Sequence, residues 1–210
     1  MSKQTMTPER VGKEYNAGIS FNSGIDLYDC VETNENFFIG KQWEGVQSNG
    51  LPTPVFNFLK RVVLFSVANI STDNLKLWAR AMSSSGKRNT QTLELVADIL
   101  NDQFASIFEH NSIGGRIREY TRNAAVDGDG CMYTYWDDTA ETGQASKGAI
   151  RTEALMNTQV LFGNPNNRDV QSQPYIILER RMLLSEARKR AKRYGKDPDE
   201  IQPDNKDCGN

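Results

Sequence analysis

The succession of hydrophobic periods along this chain of 210 residues predicts an α+β fold. As far as Val126, apolar side chains recur at helical spacing; from Cys131 the period drops from about 3.6 to 2; from Ser185 a helical but strongly basic stretch follows. The expected architecture is a mostly α-helical N-terminal half, then a small antiparallel β-meander and a basic helix.

Thr7-Pro8-Glu9-Arg10 opens the first helix with a hydroxyl cap, a proline at the first helical position and a carboxylate near the positive end of the dipole. Val11, Tyr15 and Ile19 follow at intervals of four. Gly12, Gly18 and Gly24 each weaken a helix by about 1 kcal/mol relative to alanine. The expectation is one long imperfect helix, or two with a break near Asn22-Ser23-Gly24.

Glu35 to Trp43 reads as a turn-rich segment whose aromatic residues pin a loop to the core. Thr53-Pro54 repeats the cap-plus-proline device and is expected to start a second helix. Phe56, Leu59, Val63 and Val67 mark one face of it, and Phe58, Val62 and Phe65 widen that face. A helix apolar over so much of its girth is packed on more than one side, either centrally in the fold or at a subunit contact. Ser83-Ser84-Ser85-Gly86 reads as a linker, dividing residues 1–86 from 87–210 within one structural domain.

A third helix is expected over Thr90–His110 and a fourth over Ile113–Val126, ending at Asp127-Gly128-Asp129-Gly130. Cys131–Trp136, Ala149–Phe162 and Tyr175–Leu178 supply the strands, with a polar connection over Asp137–Gly148 and a turn at Asn164–Asn167. Ser185 is placed as the cap of a helix over Glu186–Tyr194 that stops at Gly195 and leads into an acidic tail.

Composition narrows the function classes. With 27 acidic and 25 basic side chains and a net charge of −2, the chain does not coat nucleic acid by bulk charge, so any such contact is local. Cys30, Cys131 and Cys208 are odd in number and far apart, which favours a reducing compartment over a disulfide framework. The single histidine, His110, is poor material for a zinc site or a His-dependent triad. The N-terminal residues carry no signal-peptide pattern, and the longest apolar stretch, Val62–Ile70, is too short for a bilayer.

No catalytic, cofactor or metal site is expected. Asp127-Gly128-Asp129-Gly130 lacks the further oxygens and distal Glu of a calcium loop and reads as a turn. Cys131 with His110 has no motif joining the two as a thiol–imidazole pair. Gly114-Gly115-Arg116 and Gly86-Lys87-Arg88 set glycine beside a base, yet neither completes a phosphate-loop pattern, so both read as joints. The basic helix is more informative: Arg188, Lys189, Arg190, Lys192 and Arg193 either form a solvated face paired with the acidic tail or meet phosphates or an acidic partner.

Three stretches in order carry a family resemblance. The first is Asn36-Phe37-Phe38-Ile39-Gly40-Lys41-Gln42-Trp43, in which Phe38, Gly40, Gln42 and Trp43 form an FxGxQW element. The second is the helix-to-glycine-to-strand step through Gly130. The third joins Asn164-Pro165 to Gln171, Gln173, Pro174 and Tyr175. This succession resembles the N-terminal, wing-region part of tailed-bacteriophage portal proteins.

The resemblance implies a structural ring subunit at the capsid vertex, commonly twelve copies, forming part of the channel for packaging and ejecting double-stranded DNA. It implies partners in the major capsid protein, the scaffolding protein, the terminase motor that docks on the ring, and the head–tail adaptor. It implies a virion location after assembly in the host bacterial cytoplasm, with no membrane, no cofactor and no catalysis by the subunit. Family subunits continue into a stem and a clip, whereas this chain stops in an acidic loop after Gly195, so a truncated or split subunit is expected. The alternative is a nucleic-acid-binding phage accessory protein that uses Arg188–Lys196.

Overall fold

A computed structural model describes residues 7–71, 75–82, 90–141, 143, 147–167 and 169–203. It contains α1 (Pro8–Gly24), α2 (Leu27–Ile39), α3 (Phe58–Ser71), α4 (Thr90–His110), α5 (Ile113–Asp127), β1 (Cys131–Asp137), β2 (Ala149–Leu155), β3 (Val160–Phe162), β4 (Ile176–Leu178) and α6 (Leu184–Arg193). The order is α+β, as the change of period predicts.

Thr7 caps α1 by accepting the Arg10 amide at 3.4 Å, with Pro8 at the first position. The break falls at Ile25–Asp26, where Asp26 takes a left-handed conformation (φ 55°), one that a short polar side chain tolerates. Helix α2 then runs through the expected turn segment and stops at Gly40. There φ is +94°, the Lys41 amide donates to the Asn36 carbonyl and the Gly40 amide to the Phe37 carbonyl, a Schellman ending.

The second cap-and-proline signal is misplaced. Residues 51–57 are non-helical, and the cap is Asn57, which accepts the Lys60 amide at 2.9 Å. The same side chain donates to the Phe38 carbonyl at 2.7 Å, so one amide satisfies an orphan donor of α3 and an orphan acceptor at the end of α2. Pro54 instead offers its carbonyl to Trp43 Nε1 at 3.1 Å.

The strands form two two-stranded antiparallel sheets rather than one meander. Strands β1 and β2 pair from Cys131↔Leu155 to Asp137↔Ala149. A 3-10 turn at Asn157–Gln159 then diverts the chain, held by the Met156 amide on Gln159 Oε1 and by Asn157 Nδ2 on the Asp127 carbonyl. Strand β3 consequently pairs with β4, not with β2.

Two compact units result, Met1–Ile177 and Leu178–Asn210. Helices α3 and α5, on either side of residues 83–86, pack together within the first unit. Residues 83–86 themselves lie outside the described residues. Among the described residues the core of the first unit is small: Val31, Val67, Ala97, Ala140, Leu155, Val160 and Leu161 are buried, and Leu161 is only 2% exposed. Gly18 lets α1 approach β3, since a Cβ there would lie 2.9 Å from Leu161 Cβ. In the second unit Ser185 sits inside α6, and Leu183 occupies the cap position without a side-chain bond. Gly195 (φ +68°) ends α6 with the Lys196 amide on the Ala191 carbonyl.

Candidate functional site

The first motif element forms a joint between α2 and α3. Phe38 is half-buried, with the Arg122 guanidinium 4.9 Å and Lys60 Nζ 5.7 Å from its ring centroid. Arg122 of α5 donates to Glu35 of α2 and, at 3.2 Å, to Asn123. Gly40 supplies the left-handed turn, Gln42 is half-buried in it, and Trp43 closes the joint through its bond to Pro54. Gly130 serves the second element: a Cβ there would fall 2.7 Å from the Tyr120 carbonyl oxygen, so only glycine lets β1 start against α5.

The third element is a clamp around an exposed turn. Gln173 accepts the Asn164 amide at 2.9 Å and donates to the carbonyls of Asn164 (3.0 Å) and Asn167 (2.8 Å). Pro165 is exposed within the turn, and the Gln171 amide donates to Asp169 Oδ1 at 3.1 Å. Pro174 and Tyr175 pack against Gly163, where an added Cβ would lie 2.9–3.0 Å from both. The Tyr175 hydroxyl donates to Glu14 of α1. That bond is the main cause of the raised Tyr175 pKa; burial and the Glu14 charge add to it and Arg10 opposes it. These residues hold backbone in place.

The residues considered for chemistry are not assembled into a catalytic set. Cys131 is half-buried, and burial, with Asp129 second, raises its thiol pKa. His110 Nδ1 lies 2.9 Å from the Ser106 carbonyl and lines a hollow of 310 Å³ with Asn111, Ser112, Arg116, Tyr135, Arg151, Thr152 and Glu153; Cys131 is not among the lining residues. The charges in that hollow are engaged: Arg116 with Glu119 at 3.1 Å, Arg151 with Asp137 at 3.8 Å, and Glu153 with the Tyr135 hydroxyl at 2.6 Å. Gly114-Gly115-Arg116 opens α5, while Gly86-Lys87-Arg88 and Cys208 lie outside the described residues. Among the described residues no group of three or more His, Cys, Asp and Glu could hold a metal, and no helix is long and apolar enough to cross a membrane.

Asp127 is buried where α5 ends, and among the described residues neither carboxylate oxygen has a hydrogen-bond partner. Its pKa is raised by that burial first and by Glu35 second, with Arg122 opposing.

What the fold leaves uncovered is apolar. On and before α3, Phe56, Phe58, Leu59, Val62 and Phe65 are exposed while Val67 alone is buried; Phe58 is 66% and Phe65 69% exposed. Residues 75–82 add Leu75, Leu77, Trp78 and Met82, and the N-terminal half of α4 adds Leu93, Leu95, Val96, Ile99 and Leu100. The three phenylalanines and Trp78 alone carry roughly 400–700 Å² of open surface, from the 150–250 Å² typical of such rings.

Helix α6 carries the charge. Lys189, Arg190, Lys192 and Arg193 are exposed, and Arg188 is half-buried, donating to the Ile201 carbonyl at 3.2 Å. Asp197 of the tail accepts the Asp199 amide at 3.0 Å, and Asp204 lies outside the described residues.

No protein-family model matches the chain, and no curated protein matches it.

Sequence reasoning missed three asparagines that organise these surfaces. Asn57 joins α2 to α3, Asn101 brackets Ala79 through its amide and carbonyl (2.7 and 3.2 Å), and Asn111 does the same to β2 through Thr152 N and Ile150 O (2.9 and 2.8 Å). Asn57, immediately before an apolar helical run, carried a cap signal; the bonds by which the other two join distant segments reach 22 to 41 residues along the chain and leave no local signal.

Proposed function

We propose that the chain is a structural subunit of a portal ring at a phage capsid vertex. In that role it forms part of the channel for DNA packaging and ejection and of the docking site for the terminase motor. The observation that carries the reading is the exposed apolar surface of residues 56–65, 75–82 and 93–100, set beside a small core. A protein that keeps three phenylalanines and a tryptophan in water while burying few apolar residues supports a subunit whose remaining apolar contacts come from neighbours.

Contacts between unlike faces of identical subunits close into a ring when the rotation per subunit is right. Helix α3 and the N-terminal half of α4 each present an exposed apolar face of the kind such a contact needs. The ordered motif elements supply the family, and their residues act here as joints and clamps, in keeping with an architectural part. A net charge of −2 suits a channel through which DNA slides, since dense phosphate contacts oppose translocation. Twelve copies, contacts with the major capsid protein, scaffolding protein, terminase and head–tail adaptor, a place in the virion and the absence of catalysis belong to this proposal.

Negative-stain microscopy of the purified full chain tests it. Annular particles are expected. A homogeneous field of small single-subunit particles, with no annuli at any concentration, would overturn it.

A further inference from the structure

Four buried oxygen atoms of the first unit accept no hydrogen bond from any described residue: Asp127 Oδ1 and Oδ2, Glu35 Oε1 and Asn157 Oδ1. Three elements bring their residues together. Asp127 is the last residue of α5, which packs against α2, the helix that carries Glu35. The 3-10 turn at Asn157–Gln159 touches α2 as well. Asn157 Nδ2 donates to the Asp127 carbonyl at 3.1 Å and so holds this amide beside the end of α5. Asp127 and Asn157 are each 7% exposed, so neither side chain turns to solvent.

The charges in this cluster do not balance. Among the described residues Arg122 is the cation that acts on Asp127, and its guanidinium is turned to Glu35 Oε2 and to Asn123 Oδ1. Two carboxylates thus share one cation. Asp127 also stands at the C-terminal, negative end of the α5 dipole, which disfavours an anion. A buried carboxylate in such a place needs a counter-charge and donors or ligands for its oxygens. Water supplies only part of this, because it brings hydrogens and no charge.

From this arrangement we infer that Asp127, Glu35 and Asn157 form a binding site for a calcium ion. The donor set is all oxygen, two carboxylates and an amide carbonyl, which selects a hard cation and not zinc. Calcium accepts an irregular shell and both oxygens of one carboxylate, whereas magnesium demands a near-ideal octahedron and keeps several waters. Three side chains from separate elements, buried at a helix end, suit the first ion better. The run Asp127-Gly128-Asp129-Gly130 lacks a full ligand set in sequence; the fold brings the further oxygens from α2 and from the turn after β2. Bound there, the ion ties α2, α5 and that turn together. With calcium removed the Asp127 carboxyl holds a proton instead, in keeping with its raised pKa. The site lies inside one subunit, so the inference does not depend on the ring.

Thermal melts of the full chain in about 10 mM calcium chloride, against chelator with potassium chloride added to equal ionic strength, test it. Two carboxylates and one amide place the site in the weak class, with Kd about 10⁻⁴–10⁻³ M. Calcium then raises Tm by about 3–10 °C over the chelated chain. Magnesium at the same concentration raises it less. Asp127→Asn and Glu35→Gln each remove most of the rise, while Asp129→Asn, at an exposed position of the same loop, keeps it. Each variant is compared with itself in chelator, so a change in its own stability does not enter. If Glu35→Gln fails to fold, Asp127→Asn decides alone. No rise beyond the potassium control, an equal rise with magnesium, a rise that survives in Asp127→Asn, or one lost in Asp129→Asn would each overturn the inference.

Discussion

Replacing Gly18 with alanine sets two opposed terms against each other at one atom. In an exposed helix interior the added methyl group stabilises by about 0.5–1 kcal/mol, because glycine loses more backbone freedom on folding. At Gly18 that methyl would sit 2.9 Å from Leu161 Cβ and 3.2 Å from Leu161 Cδ1. Leu161 is 2% exposed, and its Cβ is fixed to the backbone of β3, so no rotamer change clears the contact. Overpacking of this kind costs about 1–3 kcal/mol, which leaves Gly18→Ala destabilised by about 0–2 kcal/mol. Gly12, on the same helix, has nothing within 4 Å of the place its methyl group would take, so Gly12→Ala gains about 0.5–1 kcal/mol. The two variants should thus differ by about 1–3 kcal/mol, or roughly 3–10 °C in Tm for a chain of this size. Thermal melts followed by circular dichroism at 222 nm read the difference. Equal stabilisation of both variants would refute the close docking of α1 on β3.

Two further perturbations probe buried polar groups. Because the Asp127 pKa is raised, the folded state binds this proton more readily than the unfolded chain does. The resulting contribution is fully present below the ordinary carboxylate range and is lost as pH climbs through the folded-state value. Asp127→Asn removes that dependence, so urea titrations should show the variant gaining on the parent chain as pH rises from about 4 to 7; a constant difference across the range would contradict the raised pKa of this buried carboxyl. Asn111→Ala strips the amide pair from Ile150 O and Thr152 N and should cost at least about 2 kcal/mol in urea unfolding. A loss below about 0.5 kcal/mol would mean that the turn between α4 and α5 does not hold β2 through this side chain.

Local rules made much of this fold legible. The Thr7-Pro8 cap, the helices over 90–110 and 113–126 and the change to period 2 at Cys131 all rest on interactions within a few residues, which a sequence displays. The failures share a cause in distance along the chain. Thr53-Pro54 looked as good a helix start as Thr7-Pro8, but Asn57 is held by the end of α2 and Pro54 by Trp43, so the helix begins later. The single meander failed because Asn157 bonds to Asp127, 30 residues earlier, and turns the strand aside. The girth of α3 suggested packing on several sides, yet the chain covers little beyond Val67. A sequence shows that a face is apolar; it does not show whether its own chain or a neighbour covers it.

That last distinction is decided most directly by native mass spectrometry of the full chain beside a Phe58→Ser, Phe65→Ser double variant. Each ring is about two-thirds exposed, so burying that part in an assembly is worth about 1–2 kcal/mol per side chain. The account predicts a closed oligomer of many subunits for the parent chain, and single subunits of unchanged helicity for the variant. A parent chain that flies as one 23.7 kDa species, indistinguishable from the variant on dilution, would contradict it.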